Sequence, residues 1–456
     1  MLDLFLLGFI GLLLACGLKR PFIWVLAYIY IDIVAPQKIG WSIIQAIPVS
    51  LIAFLAAFAG WVLLDGKKGS RFTFRQGLML ALLLYCGMTT LTAAFPDSAW
   101  DKWDWVWKAL LFAIFLPLTL RTKLRLEAAV LFIVLAVGTI AINGGIKTIF
   151  GGGGYGTLSL LVDENAGLYE GSIISTVAIC IIPLALWLAR HGTIFKPDWK
   201  VWGFTAGLIF ACLLIPVGTG ARTGLVCIAV LGVLLLRSVR YRFVYAGAAA
   251  LAMMAAIPFL PQSYLERMGT IAGYESDQSA STRLAVWEWT IGYAKANPLG
   301  GGFDAYRANS FTYQTRTVSG EGASRQVTYN TVTEEGRAYH SSYFELLGEQ
   351  GWIGLGLWLW LQALGLWHME RLRWRLGKLE GGKRSWQWGL ATALQQAHIV
   401  FLVGALFVGI AYQPFLFMLV GLQCGLWSYV RRTEEPASRA KFKPCEPKPE
   451  APAPAA

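Results

Sequence analysis

From its second residue the chain keeps returning to runs of mostly apolar residues, each close to the length that crosses a bilayer. They fall at roughly 2–17, 21–36, 46–64, 77–95, 104–120, 126–144, 172–190, 201–217, 224–237, 243–260, 344–367, 389–410 and 413–430. A helix rises ~1.5 Å per residue, so ~20 residues match the ~30 Å hydrocarbon core. Composition agrees: 14% of the residues are charged, where soluble domains carry nearer ~25%. The expected fold class is all-α, a polytopic integral membrane protein with about 12–13 transmembrane helices. The count is open by one because the first two runs are short, and one of them reads as re-entrant or interfacial. The opening "LDLFLLGFIGLLLAC" has no basic region ahead of it and no small-residue cleavage site, so it reads as a retained membrane segment.

The linkers alternate in charge. "GKKGSRFTFR" (66–75), "RTKLR" (121–125), "RHGTIFKPDWK" (190–200), "RSVRYR" (237–242) and "RLRWRLGKLEGGKR" (371–384) are basic. The intervening "PDSAWDKWD" (96–104) and "VDENAGLYEGS" (162–172) are neutral or acidic. With residues 19–20, 431–432 and the tail, about 27 of the 39 Lys and Arg fall on one side, which the positive-inside rule reads as cytoplasmic. That rule also accounts for the net charge of +12 without nucleic acid. The seven cysteines show no CxxC spacing and read as small buried apolar residues. Trp100, Trp103, Trp105 and Trp107 read as an aromatic belt where the chain re-enters the bilayer.

Four regions result: a transmembrane bundle over 1–260, a large external loop over 261–343, transmembrane helices over 344–432, and a disordered cytoplasmic tail over 433–456 rich in Pro, Ala and Lys. A connection of that length is far beyond the usual and commonly functional. Within it, "STRLAVWEWTIGYAKA" (281–296) reads as a helix ended by "NPLGGGF" (297–303). Leu284, Trp287 and Ile291 share one face, which suits a helix lying on the membrane surface.

Ionisable groups near membrane depth each need an account. Arg222 sits in the external turn "VGTGARTG" (217–224), where Gly218, Gly220 and Gly224 give an anion close access to the backbone. A lone arginine there also serves as a lipid-phosphate anchor, and both readings stand. Arg283 opens the loop helix, either as a solvated charge or as part of an anion site with Arg267, Arg307, Arg316, Arg325 and Arg337. His340 is the single external histidine, set before a greasy run, and an imidazole titrates near ~6.5. It is either a satisfied interfacial residue or a proton acceptor. Glu345, one turn into the next helix, either orients that imidazole or caps the helix. "GGGGYG" (151–156) lacks the lysine of a phosphate loop, and no G-x-S-x-G, P-loop or H-E-x-x-H motif occurs.

Read in order, these residues form a pattern: an Arg in a Gly-rich external turn, "R…W" opening a long loop, "NPLGGGF", then H-S-S-x-x-E-x-x-G-x-x-G-W-I-G entering the next helix. The pattern resembles the O-antigen ligase and Wzy-type polymerase family over roughly residues 200 to 425. With "PQKIGW" and "DENAG", the whole chain looks most similar to the O-glycosylation ligases associated with exosortase A. The resemblance implies an inner-membrane glycosyltransferase, multi-pass, with the large loop periplasmic and the C-terminus cytoplasmic. It implies transfer of a glycan from undecaprenyl diphosphate to a hydroxyl of a lipid, protein or glycan acceptor, with no metal, no cofactor and no nucleic acid. Carried over, Arg222 and Arg283 hold the donor diphosphate, and His340 meets the acceptor hydroxyl as base or positioning partner. Ser341 and Ser342 stand where many family members carry Asn or Gln. Two rivals remain: a polymerase of the same family, and a transporter or flippase, for which Asp32 and the Gln395–His398 cluster are the support.

Overall fold

The computed structural model describes residues 2–40, 42–67, 69–151, 167–237, 241–259, 278–319, 326–379 and 381–440. Over these the chain is helical apart from one hairpin. The elements are α1 (Leu2–Lys19), α2 (Phe22–Val34), α3 (Pro36–Ile39), α4 (Ile43–Ala46), α5 (Val49–Leu63), α6 (Phe74–Leu91), α7 (Pro96–Thr119), α8 (Lys123–Phe150), α9 (Gly171–His191), α10 (Trp199–Thr219), α11 (Arg222–Leu236) and α12 (Arg242–Ala256). There follow α13 (Gln278–Ala296), β1 (Ser310–Ser319), β2 (Gln326–Glu335), α14 (Ser342–Gly377), α15 (Trp386–Gly404) and α16 (Pro414–Ala440).

Among the described residues, five helices are long and apolar enough to cross a membrane: α1, α6, α8, α9 and α10. With the shorter apolar α2, α5 and α11 beside them, the chain is a polytopic membrane protein. The bundle exposes Leu55, Leu63, Leu84, Phe204, Phe210 and Val233, as a helix surface solvated by lipid does. α2, with 13 residues, reaches only about 20 Å and falls short of the hydrocarbon core. It is nonetheless buried from Val25 to Ile29, so its backbone is shielded by protein.

α15 sits at the centre, against α9, α14, α11 and α16. Local signals set the helix starts: a capping box pairs Thr73 with Gln76 at α6, and Ser385 accepts from the Trp388 N–H at α15. Two stretches depart from expectation. The linker "PDSAWDKWD" is the first turns of α7, so the tryptophans there lie on a helix; Trp100 and Trp105 are exposed and Trp103 and Trp107 half-buried. The loop also contains a ten-rung antiparallel hairpin, Ser310 opposite Glu335 to Ser319 opposite Gln326. Thr, Val and Tyr are frequent in "QVTYNTVTEE", residue types that favour strands. α16 runs on to Ala440, into the stretch read as tail, while 441–456 lie outside the described residues. So do most of "GGGGYG" and "DENAG", and Arg267, Arg325 and the side chain of Arg316.

The glycine turn after α13 has a structural task. α14 is broken at Gly351, at φ 62 and ψ −165, and "NPLGGGF" docks in the break. The Gly301 and Gly302 N–H groups donate to the carbonyls of Gly348 (3.0 Å) and Glu349 (2.9 Å), and the Trp352 N–H donates to Pro298 O (3.1 Å). Backbone groups freed by the break are thus satisfied within the protein, as membrane depth requires. A Cβ at Gly351 would stand 2.2 Å from Pro298 O. Gly351→Ala should therefore destabilise the protein by at least ~1–3 kcal/mol. Thermal unfolding in detergent checks this; a wild-type midpoint would mean the clasp yields freely.

Candidate active site

His340 stands in the short segment between β2 and α14. Its neighbours Tyr339 and Ser341 are buried, at 3% and 1% exposure, while His340 itself is exposed. Its φ is +48, a left-handed conformation that costs a non-glycine residue about 1–2 kcal/mol and persists only where flanking contacts impose it. Those contacts are visible. Trp287 of α13 donates its indole N–H to the Tyr339 carbonyl at 2.9 Å and stacks on Phe344 with ring centres 4.8 Å apart. On the other side the Ser342 N–H donates to Ala405 O (2.9 Å), its hydroxyl donates to Val408 O (2.9 Å), and Ile410 N–H donates to that hydroxyl (2.8 Å). The backbone is pinned on both sides, and the imidazole is pushed outward. Its ring nitrogens make no hydrogen bond among the described residues.

Two arginines share its surroundings. Desolvation by the surrounding protein, with the positive charges of Arg283 and Arg337, holds the His340 pKa below the ordinary imidazole value. Arg283 comes from α13, and Arg337 from the exit of the hairpin. Asn309 sets the latter: its amide donates to Arg337 O and accepts from Arg337 N–H, both at 2.8 Å. Arg337 also pairs with Glu334. α13 buries Thr282, Val286, Thr290 and Ala294 and packs on α14. Leu284 and Ile291 are exposed as the surface-helix reading requires, but Trp287 is not, because it anchors the histidine segment.

Arg222 is the first residue of α11, after Gly220 in the left-handed region (φ 63). The helix N-terminus adds its own positive end to the guanidinium. No contact joins Arg222 to His340 among the described residues, but the packing sets its level. α11 runs antiparallel to α15, with Cys227 Sγ beside Val400 O (3.8 Å) and Gln396 donating to Leu234 O (3.4 Å). Five residues before Cys227, Arg222 is level with the end of α15, where Ala405 holds Ser342. The structure thus gathers His340 and Arg283 with Arg337, and sets Arg222 at the same end of the bundle.

Glu345 lies elsewhere than at the imidazole. Its carboxylate accepts from Lys102 Nζ at 2.7 Å and from the Ala411 N–H at 3.1 Å, and no bond links it to His340 among the described residues. Lys102, from α7, is the residue that reading the sequence missed. It also donates to Glu349 (2.8 Å), sits 3.8 Å from Asp304, and lies over the rings of Phe303 (5.6 Å) and Tyr412 (5.1 Å). Asp304 in turn accepts from Ser98, and its N–H donates to Glu349 (3.0 Å). One ammonium thus ties α7, the glycine turn, α14 and the start of α16's approach together beneath the histidine segment. Its signal was a lysine in a linker of otherwise acidic, external character.

The polar cluster offered for transport divides: Gln395 bonds Arg373 and Glu370 and Gln396 bonds Leu234 O, while His398 joins a buried set in which Arg75 Nε and Nη1 and Gln362 Nε2 have no partner among the described residues. His398 is fully buried, with Nε2 2.9 Å from Gln362 and Nδ1 3.1 Å from Gln423, which accepts from Arg75 at 2.7 Å. Asp32 lies on α2, where its Oδ2 is buried and has no hydrogen-bond partner among the described residues.

Residues 207–359 match the family described as O-Antigen ligase, and residues 1–193 match a family of unknown function, DUF5935. No curated protein matches the chain. The first match opens in α10, takes in Arg222, Arg283, the hairpin and His340, and ends beyond the break in α14. Over residues 207–359, then, the chain is similar to the O-antigen ligase family, and ahead of that stretch to a family of unknown function.

Proposed function

We propose that this protein is an inner-membrane glycosyltransferase that moves a glycan from undecaprenyl diphosphate to an acceptor hydroxyl at the outer face of that membrane. The observation that carries the reading is the gathering of His340 with Arg283 inside the O-antigen ligase match, at the bundle end where Arg222 opens α11. The charge asymmetry of the linkers supports placing that end in the periplasm. The finer likeness, to O-glycosylation ligases associated with exosortase A, belongs to the same proposal.

In this reaction the acceptor oxygen bonds to the anomeric carbon while the bond from that carbon to the diphosphate oxygen breaks, its electron pair leaving with the diphosphate. Negative charge grows on the leaving group, so Arg222 and Arg283 bind the transition state more tightly than the bound donor. His340, neutral because its pKa is depressed, accepts the acceptor's proton. The same two arginines hold the donor lipid, whose diphosphate lies at headgroup level. Arg222→Ala and Arg283→Ala variants should insert normally and lose transfer.

The test is reconstitution with a lipid-diphosphate glycan and separate lipid, peptide and glycan acceptors. Transfer to a lipid or peptide marks a ligase, extension of the carrier-bound glycan marks a polymerase, and translocation without transfer overturns the proposal. pH adds a second check. The pKa of His340 lies below the usual value, so the imidazole stays a free base down through ~6.5 and the rate should fall only at lower pH. Removing a neighbouring positive charge raises that pKa. The acid limb of residual activity in Arg283→Gln should therefore move to higher pH; an unmoved limb would separate the two residues.

A further inference from the structure

A second charged site lies at the opposite end of the bundle. A cavity of about 400 Å³ opens between the ends of α11 and α14 and the start of α15. Arg237, Arg373, Lys378 and Lys383 line it, with Glu370 the single carboxylate among the described residues and Trp374 and Trp388 as walls. Arg373 is held rigidly: its Nε donates to Thr392 (3.0 Å), and its Nη1 donates to Gln395 (2.5 Å) and Glu370 (2.6 Å). Glu370 is thereby occupied by Arg373 and by the Gln395 amide (3.0 Å). Arg237, Lys378 and Lys383 have no carboxylate partner among the described residues. Lys378 lies 3.5 Å above the Trp374 ring, whose indole is exposed, and the Arg373 guanidinium lies 5.7 Å from the Trp388 ring.

Position narrows the ligand. Arg373 lies 22 residues along α14 beyond its break at Gly351, so about 33 Å further along the helix, close to the thickness of the hydrocarbon core. The cavity therefore sits at headgroup level on the far face, where exposed tryptophans mark the interface. Scattered basic residues at helix ends follow from orientation alone. A cavity with three cations that have no carboxylate partner among the described residues, one fixed guanidinium and aromatic walls does not.

We propose that this cavity binds a phosphate-bearing anion, in the form that a basic pocket between membrane helices takes best: the headgroup of an anionic phospholipid. A soluble phosphate offers the same chemistry and is the alternative source. The site is separate from the reaction proposed above, and its test does not depend on glycan transfer.

The full-length protein is placed in nanodiscs of phosphatidylcholine carrying a tenth of phosphatidylglycerol, and retained lipid is read by native mass spectrometry after release. Arg237→Gln/Lys383→Gln is compared with Lys19→Gln/Lys196→Gln, which removes two exposed basic charges elsewhere in the chain. Each headgroup-level cation contributes roughly fivefold, so the cavity pair should lower phosphatidylglycerol retention about 25-fold, and the control pair far less. A parallel arm adds inorganic phosphate. Loss of lipid only in the cavity variant supports the headgroup as ligand. Displacement of lipid by millimolar phosphate, or phosphate binding lost in the same variant, supports the site with a soluble source. Equal retention in both double variants, or an equal fall in both, overturns it, since either result makes the cavity no more than general surface charge.

Discussion

Replacing His340 by alanine should lower glycan transfer by about 10²–10⁴-fold, equivalent to ~2.7–5.5 kcal/mol of barrier, if the imidazole takes the acceptor proton. The environment is compatible with that proposed role. The backbone carries a left-handed φ at His340, held by Tyr339 and Ser342 anchors, and the ring faces outward beside Arg283 and Arg337. Because alanine in that conformation also adds strain, His340→Asn is the sharper variant. Asparagine tolerates the left-handed region and can hydrogen-bond, but it cannot carry the proton away. An equal loss in both variants, with donor lipid still bound, marks a base. Asparagine within tenfold of wild type would leave His340 only a positioning role, and full activity in both would remove it from the site.

Much of this end of the molecule was readable from residues alone. Apolar length and charge alternation gave the membrane class, and "NPLGGGF" announced a turn that terminates α13. Residue spacing also put Arg283 on a loop helix and His340 just before α14. What escaped was whatever depends on contacts distant in sequence. That the glycines fill a break at Gly351 follows from hydrogen bonds across about 50 residues, which no local pattern carries. Trp287 looked like a membrane-facing residue because periodicity reports which residues share a face, not what covers it. The hairpin was hidden for another reason: its threonines and charged residues lack the apolar alternation of a half-buried strand. Glu345 had a plausible neighbour in sequence, but its partner came from α7, some 240 residues away. Ser342 likewise serves as a pin between α14 and residues 405–410.

Lys102→Met should be the most destabilising change outside the chemistry. Lys102 is 13% exposed and Glu349 fully buried, and Asp304 and Glu345 crowd the same ammonium. Removing the cation strands buried carboxylates against one another, a change that costs about 3–5 kcal/mol when one partner of a buried pair is lost. Methionine keeps the length of the stem and its contact with Phe303 and Tyr412, so packing loss is small and charge loss dominates. Thermal unfolding of the detergent-solubilised protein should show the drop. Lys102→Met/Glu349→Gln should recover much of it, because the double variant removes the stranded charge that the single variant leaves, and the coupling between the two residues is then measured directly. No recovery would assign the loss to packing. The same pair of variants also separates support from chemistry. A positioning role predicts that transfer returns with stability in the double variant, since the glycine turn, α7 and α14 are again held beneath His340. A double variant that is stable but inactive would instead bring Lys102 to the reacting groups themselves, as a third cation beside Arg222 and Arg283.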